Sequence, residues 1–382
     1  MSLSLPARAI VFFFIGLFLA VSPAAASATT RRVPADYPMI HQAIDAAVDG
    51  DTVLVAPGTY VEHISFHGKA ISVISEAGPE VTTINSESPI SSVVTFASGE
   101  GPGSMLQGFT VQNGGAALFN YIGGGIFVDA SSPKIIGNII RNNQANYGGG
   151  GIGITGNASP LIQGNTITNN QHNAGGIYPG GGGIGVEGGA SPQVLDNIIS
   201  DNSSPTYGGG ISLYMAGQAV IRNNKICRNS GHYGGGASVT YSYSSAPRII
   251  QNLIADNLDD FGSGIGGGLY AIESNLVLLN NTIANNASYY SGVVLGLRLT
   301  TYELTNNIIV AKPGTVAVRC GPQSAPVLPI FRNNNVFSPE GIAYAGSYPD
   351  QTGMNGNISA DPLFVNPAAG DYHLRPGSPS ID

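Results

Sequence analysis

The sequence predicts an all-β chain wound as a parallel β-helix, a solenoid in which each repeat forms one coil. Three observations carry this. An Asn followed two residues later by an aliphatic or aromatic side chain recurs at Asn138, Asn165, Asn197, Asn224, Asn252, Asn281, Asn307 and Asn335, at intervals of 26 to 32 residues. The first six are each followed five residues later by a second Asn, at Asn143, Asn170, Asn202, Asn229, Asn257 and Asn286. A glycine cluster accompanies the repeat, reading GGGI at 123–126, 149–152, 181–184 and 208–211, then GGGA at 234–237 and GGGL at 266–269. A period of this length, built from short alternating segments with no helical pattern inside it, fits a stack of β-coils.

Within one coil the alternation sets the facing. In 160–170, Ile162 and Ile167 point one way, Leu161 and Thr166 the other, and Asn165 and Asn170 mark bends. Across coils, Ile135, Ile162, Val194, Ile221 and Ile249 make one apolar column, and Ile140, Ile167, Ile199, Ile226, Ile254 and Ile283 a second. A third comes from Ile126, Ile152, Ile184 and Ile211. Coils stacked at about 4.8 Å turn each column into a continuous inner stripe. The bend Asn residues are expected to take the left-handed conformation and to hydrogen-bond to the next coil through their amides, with glycine doing the remaining turning.

Composition limits the alternatives. Fifty-four Gly, 24 Pro and only 10% charged residues suggest low complexity, but 42% apolar content arranged with period two is enough to fold. A solenoid grows by adding coils, so length does not force a second domain. The expected organisation is a signal peptide over 1–28 and a single β-helix domain over 29–382, with regular coils from about 123 to 286 and irregular coils to 382. The leader is read from Arg8, the uncharged run 10–21 and the small residues Ala24 and Ala26. That run is too short to favour a membrane span. Export places the protein outside the cytoplasm, secreted, periplasmic or on the cell surface. Losing Arg8 moves the formal charge from 15 − 23 = −8 to 14 − 23 = −9, a poor match for nucleic acid. Cys227 and Cys320 lie about three coils apart; stacking alone keeps them from bonding, unless the stretch 322–329 folds back.

After the leader, Ile40, Ala43, Ile44, Ala47 and Val48 share one face of a short helix, read as a cap on the open apolar end, with strands expected at 52–56 and 61–64. The opening VPADYPMIHQAIDAAVDGDTVLVAPGTYVE, with its helix, GDTV strand and PGTY turn, resembles the first coil of right-handed parallel β-helix proteins of the pectate-lyase-like superfamily. The closing DPLFVNPAAGDYHLRPGSPSID resembles the end of bacterial exported members, in which a Gly usually follows the final ID, so a continuation past Asp382 into an anchor is left open. The resemblance implies a right-handed β-helix, a fold that carries lyases, hydrolases, esterases, epimerases and non-catalytic surface proteins, and is far less specific for activity than for fold. Gly58, Tyr60 and Glu62 match the GxYxE element of pectin methylesterases, but no other esterase block follows. Asp259 and Asp260 resemble the paired aspartates of polygalacturonases without the accompanying NTD, GHG and RIK elements. Pectate lyases would need clustered Asp for calcium and an Arg base; calcium is the cofactor left open here.

Aligning the coils by their Asn pairs puts Asn142, Asn169, Asp201, Arg228, Asp256 and Asn285 in one slot, with Arg228 roughly 5 Å from a carboxylate on either side. One reading is a salt-bridged ladder closing a bend. The other makes Arg228 a lyase base or anion clamp, and the base role needs a lowered pKa that two carboxylates oppose. Arg222, Lys225 and Arg248 make a local basic patch nearby. Tyr147, Tyr207, Tyr233 and Phe261 occupy similar places before the glycine clusters, with Tyr121 and Tyr178 close by, which suggests an aromatic stripe for sugar rings or a shield over the bends. His232 is expected one coil from Asp259 and Asp260, where a His beside carboxylates can move protons; a solvated polar loop tip is the competing reading. The candidate site is therefore His232, Asp259, Asp260 and Arg228 for chemistry, and Tyr207, Tyr233, Phe261, Asp201 and Asp256 for substrate. The remaining histidines show no metal-ligand spacing, so zinc and copper are not supported. Three classes remain: a monomeric polysaccharide lyase or hydrolase, a non-catalytic surface scaffold or adhesin, and, with least support, metal delivery.

Overall fold

The computed structural model describes residues 27–86, 90–116, 123–173, 180–259, 265–296, 300–321 and 329–381; the expected leader, apart from Ser27 and Ala28, lies outside them. Among the described residues the chain winds through three long parallel sheets, of 12, 11 and 11 strands, called here the first, second and third. A short fourth sheet of five strands bridges the second and third in the middle coils. Each coil visits the first, second and third sheets in turn. For example, Leu161–Gln163, Thr166–Thr168 and Ile184–Val186 belong to one coil and pair in register with Gln193–Leu195, Ile198–Ser200 and Ile211–Tyr214 of the next.

The three apolar columns fall where the alternation put them. Ile135, Ile162, Val194, Ile221 and Ile249 are consecutive register partners. So are Ile140 through Ile283 in the second sheet and Ile126 through Ile211 in the third. All are buried in one continuous core.

Both Asn columns are buried hydrogen-bond ladders. In the first, each backbone N–H donates to the amide oxygen of the Asn one coil on, at 2.9 Å from Asn138 to Asn165, Asn165 to Asn197 and Asn197 to Asn224. The second ladder runs the same way from Asn143 to Asn286. The left-handed residue is not the ladder Asn but the one before it: Gly137, Gly164, Asp196, Asn223 and Gln251 precede the first ladder, and Asn142, Asn169, Asp201, Arg228, Asp256 and Asn285 the second. The physical reason is a division of labour. The predecessor turns the chain, which leaves the ladder Asn aimed inward with its amide on the axis of stacking. The ladder also corrects the last repeat, since Asn307 donates to Asn334, not Asn335, and Asn334 to Asn357. Asn335 instead binds Ala360 and Ser380.

The glycine clusters mainly allow backbone to meet backbone. A Cβ on Gly181 would sit 1.9 Å from the carbonyl oxygen of Ile184 and 3.0 Å from the nitrogen of Ser212. No side chain fits there.

At the N-terminal end the helix Ile40–Ala46 buries Ile40, Ala43 and Ile44 against the first coil. It ends before Val48, which is 53% exposed and not on the apolar face as expected. The buried Glu62 carboxylate accepts the N–H groups of Ile40 and His41 at 2.9 and 2.8 Å, satisfying helix-end donors. Glu62 thus has a structural job at the position that matched the esterase element. The strand expected at 61–64 is two, Gly58–Val61 and Ile64–Ser65.

Coiling continues past Asn286 through Tyr302–Thr305, Ile308–Ala311 and Val316–Cys320. The chain from Asp361, read from the sequence as further coil, is instead an antiparallel hairpin of Phe364–Asn366 and Asp371–Leu374. It folds back sideways, placing Phe364 and Tyr372 on Ala255 and Ala284 of the second sheet's outer face. Those outward residues are small and apolar, whereas the uncovered coils present Gln112, Arg141, Thr168 and Ser200 in the same column. Cys227 and Cys320 are buried free thiols on different sheets, and burial pushes the Cys320 thiol up to about 12.

Candidate functional site

The turn column between the second and fourth sheets forms as aligned. Arg228 donates from Nε to Asp201 Oδ1 at 2.8 Å and from Nη2 to Asp201 Oδ2 at 2.7 Å, a two-pronged pair. Those hydrogen bonds raise the Arg228 pKa, which keeps the guanidinium charged and opposes a base role. Burial alone would raise the Asp201 carboxyl, but Arg228 brings it below its ordinary value. Asp256, expected to share Arg228, accepts instead from Asn285 Nδ2 at 2.6 Å and from the Tyr372 hydroxyl at 2.9 Å. The back-folded hairpin supplies that second donor, so sequence spacing could not show it. A cleft of about 350 Å³ lies here, between Lys225, Arg228 and Asp256 on the coils and Gly370 and Tyr372 on the hairpin.

His232 and the tyrosines stand on the strands leading away from that turn. Ser203–Tyr207 and Ser230–Tyr233 belong to the fourth sheet. The Tyr207 and Tyr233 rings stack at 5.1 Å, and Tyr233 meets Tyr270 at 5.1 Å. His232 lies edge-on to Tyr233 at 4.3 Å. Backbone register brings Asp259 one coil from this strand: Ser230 bridges Leu258, and Ile265 donates to the His232 carbonyl at 3.0 Å. Asp260 and Phe261, like Tyr121 and Tyr178, lie outside the described residues.

A second row of rings, which the repeat alignment missed, runs beside the first. Tyr214 ends the third-sheet strand Ile211–Tyr214, and Tyr241 follows Ala237–Thr240 at a left-handed φ of 58°. Tyr214 meets Tyr241 at 5.6 Å, edge to face, and Tyr241 meets Tyr243 at 6.2 Å, tilted. Tyr270 was missed too, because its register partners Ser238 and Val294 are not aromatic and gave no aromatic column to extend. The signal for Tyr241 and Tyr243 was the YSYS insertion at 241–244, which breaks the coil length. Burial raises the Tyr207 and Tyr270 hydroxyls, with neighbouring tyrosines adding to it, so both remain protonated donors.

The six tyrosines make two rows on three successive coils; Tyr270 is buried, at 8% exposed, while the other five are half-buried or exposed. The inner row, Tyr207, Tyr233 and Tyr270, spends its ring faces largely on itself. The outer row, Tyr214, Tyr241 and Tyr243, meets edge-on or tilted and leaves ring faces uncovered by one another. Glu187, whose backbone N–H donates to Ile154 just beyond the strand Ile184–Val186, lies one coil before Tyr214, and burial raises its carboxyl. Among the described residues no cluster of three or more His, Cys, Asp or Glu could hold a metal ion, and no helix is long and apolar enough to cross a membrane.

No curated protein matches the sequence. Among solved structures, the A-module of the mannuronan C-5 epimerase AlgE6 of Azotobacter vinelandii is similar over 85% of this chain and 94% of its own, at 15% identity and a TM-score of 0.54. Pectate lyase Pel9A is similar over 88% of this chain and 84% of its own, at 14% identity and a TM-score of 0.51. At those identities the likeness is one of fold. The model of the right handed beta helix region matches residues 124–357, over half the chain, and the protein belongs to that family.

Proposed function

We propose that the protein binds a polysaccharide laid across successive coils, with the tyrosine face as its platform. The observation that carries this is the double row of tyrosines, of which Tyr207, Tyr214, Tyr233, Tyr241 and Tyr243, on two successive coils, reach the surface. Aromatic faces match the apolar C–H faces of sugar rings, and coils recur at about 4.8 Å, close to a monosaccharide's length. Two similar folds are named for a polysaccharide, mannuronan and pectate, which fits the same ligand class. If the bound chain is also cleaved, His232 and Asp259 are the proton-handling residues on this face, with Asp260 beside them in sequence, while Arg228 and Asp201 hold the neighbouring turn.

The competing reading is a non-catalytic cell-surface scaffold, supported by how fully Asp201, Arg228 and Asp256 are satisfied within the protein. A panel of acidic and neutral polysaccharides, with and without calcium, separates the readings. Retention in affinity electrophoresis supports binding; a gain in unsaturated-product absorbance means lyase action, and reducing ends alone mean hydrolysis. His232→Ala is expected to lower any turnover by about 100-fold with little loss of binding, and Tyr233→Ala mainly to weaken binding. No retention of any polymer rejects the proposal and leaves the scaffold.

A further inference from the structure

We propose that Arg319 is an anion-binding residue at the far end of the tyrosine face, taking a carboxylate or sulfate ester carried by the bound polymer. This rests on the polysaccharide reading above and adds a ligand class and a position to it. Ser238, Tyr270, Val294 and Arg319 are successive register partners in one outward column of the third sheet. Arg319 therefore lies two coils beyond Tyr270, roughly 10 Å along this column, past the buried Tyr270 and Val294.

Three features set this guanidinium apart. Its Cζ lies 5.8 Å from the Tyr290 ring centroid, within cation–π range. Tyr290 is 40% exposed and Tyr289 75% exposed, and their rings meet edge to face at 5.0 Å, so the arginine is flanked by ring surface open to solvent. Its Nε is buried with no acceptor among the described residues. Arg31, Arg228 and Arg332 each face a carboxylate; among the described residues none pairs with Arg319. A guanidinium cannot shed its charge and offers its donors as a rigid fork, so a buried donor without an acceptor is costly until an oxyanion arrives. Carboxylate and sulfate each present two oxygens in the geometry that fork accepts. A sugar resting on Tyr289 or Tyr290 would carry such a group to it. A stem merely packed on Tyr290 for its apolar contact is the alternative.

The test measures affinity for a polyuronate, a sulfated galactan and a neutral glucan, at low and high salt, for the wild type, Arg319→Gln, Arg319→Lys and Tyr233→Ala, each checked for an unchanged melting temperature. The expected result is that Arg319→Gln weakens one or both anionic polymers by about 10-fold at low salt and flattens the salt dependence. It leaves any neutral-glucan binding unchanged, and Arg319→Lys recovers part of the loss. The polyuronate and sulfated-galactan arms say which anion is taken. Equal binding of an anionic polymer by wild type and Arg319→Gln overturns the inference while the polysaccharide reading stands. So does wild-type binding of the neutral glucan alone. No binding of any polymer by the wild type overturns both.

Discussion

Replacing Asn197 by Leu tests whether the buried amide ladder, and not apolar packing alone, holds the coils in register. Asn197 Oδ1 accepts from the backbone N–H of Asn165 at 2.9 Å and from Asn165 Nδ2 at 3.0 Å. Its own Nδ2 donates to the carbonyls of Ile162 and Leu195 at 3.0 and 2.8 Å and to Asn224 Oδ1 at 3.0 Å. Leucine removes all five. Asn165 Nδ2 keeps the Ile135 carbonyl and Asn224 Oδ1 keeps the N–H of residue 197, so those two losses are softened. The Asn165 N–H is left buried and unpaired, at a cost of about 1–3 kcal/mol, and the bonds to the two carbonyls add about 1 kcal/mol each. Leucine's extra apolar burial returns roughly 1 kcal/mol. The net expectation is a destabilisation of about 2–4 kcal/mol, read as a lower urea midpoint at equal slope. An unchanged or raised midpoint would refute the reasoning, because it would mean the ladder adds nothing beyond the volume it fills.

Ile167→Ala, in a column packed by Ile140 and Ile199 on either side, should lower stability by about 2–5 kcal/mol in the same assay; a loss well under 1 kcal/mol would count against a close-packed column. Gly181→Ala should prevent soluble expression or sharply lower the melting temperature, since the added Cβ meets a carbonyl oxygen at 1.9 Å; a wild-type melting temperature would reject the close backbone approach. Asp201→Asn should change stability by no more than about 1 kcal/mol, because the ion pair it removes is solvent-exposed, with the Arg228 side chain 57% accessible. His172 is fully buried, and desolvation lowers its pKa from 6.5 to about 4. Its contribution is whole above pH 6.5 and is lost as pH falls toward 4, where the unfolded chain binds the proton first, by up to about 3 kcal/mol. Glu187, raised by burial, works in the opposite sense from about pH 4.5 upward. The diagnostic is therefore the difference between wild type and His172→Gln, whose stability between pH 4 and 6.5 should be flatter.

Most of the scaffold was legible because stacking makes like residues neighbours: one aligned repeat names every inner partner of Ile162 or Ile140. Finer geometry was harder to see. In the run Asn333, Asn334 and Asn335, three identical residues leave the ladder position ambiguous by sequence, and only the inward-facing Val336, stacked on Ile309, settles it. The left-handed turn was assigned one residue late, since Gly, Asp, Asn, Gln and Arg all serve there and no single residue type marks it. Of the candidate site, the Asp201–Arg228 pair and the Tyr207–Tyr233 stack are neighbours along the coil axis and could be read from alignment. Tyr372 on Asp256 could not, because a contact 116 residues apart depends on the hairpin folding back. Tyr241 and Tyr243 sit in an insertion, where alignment by repeat has no column to offer.

The central claim, a polysaccharide on the tyrosine face, has a direct optical test because the chain carries 17 Tyr and no Trp. Wild type and Tyr233→Ala, matched in melting temperature, would be titrated with oligosaccharides of each polymer in the panel while tyrosine emission is followed. The account predicts a saturable change in wild-type emission for one polymer class, with the midpoint at least about 10-fold weaker in Tyr233→Ala. No saturable change with any polymer, or the same midpoint in both proteins, would contradict it.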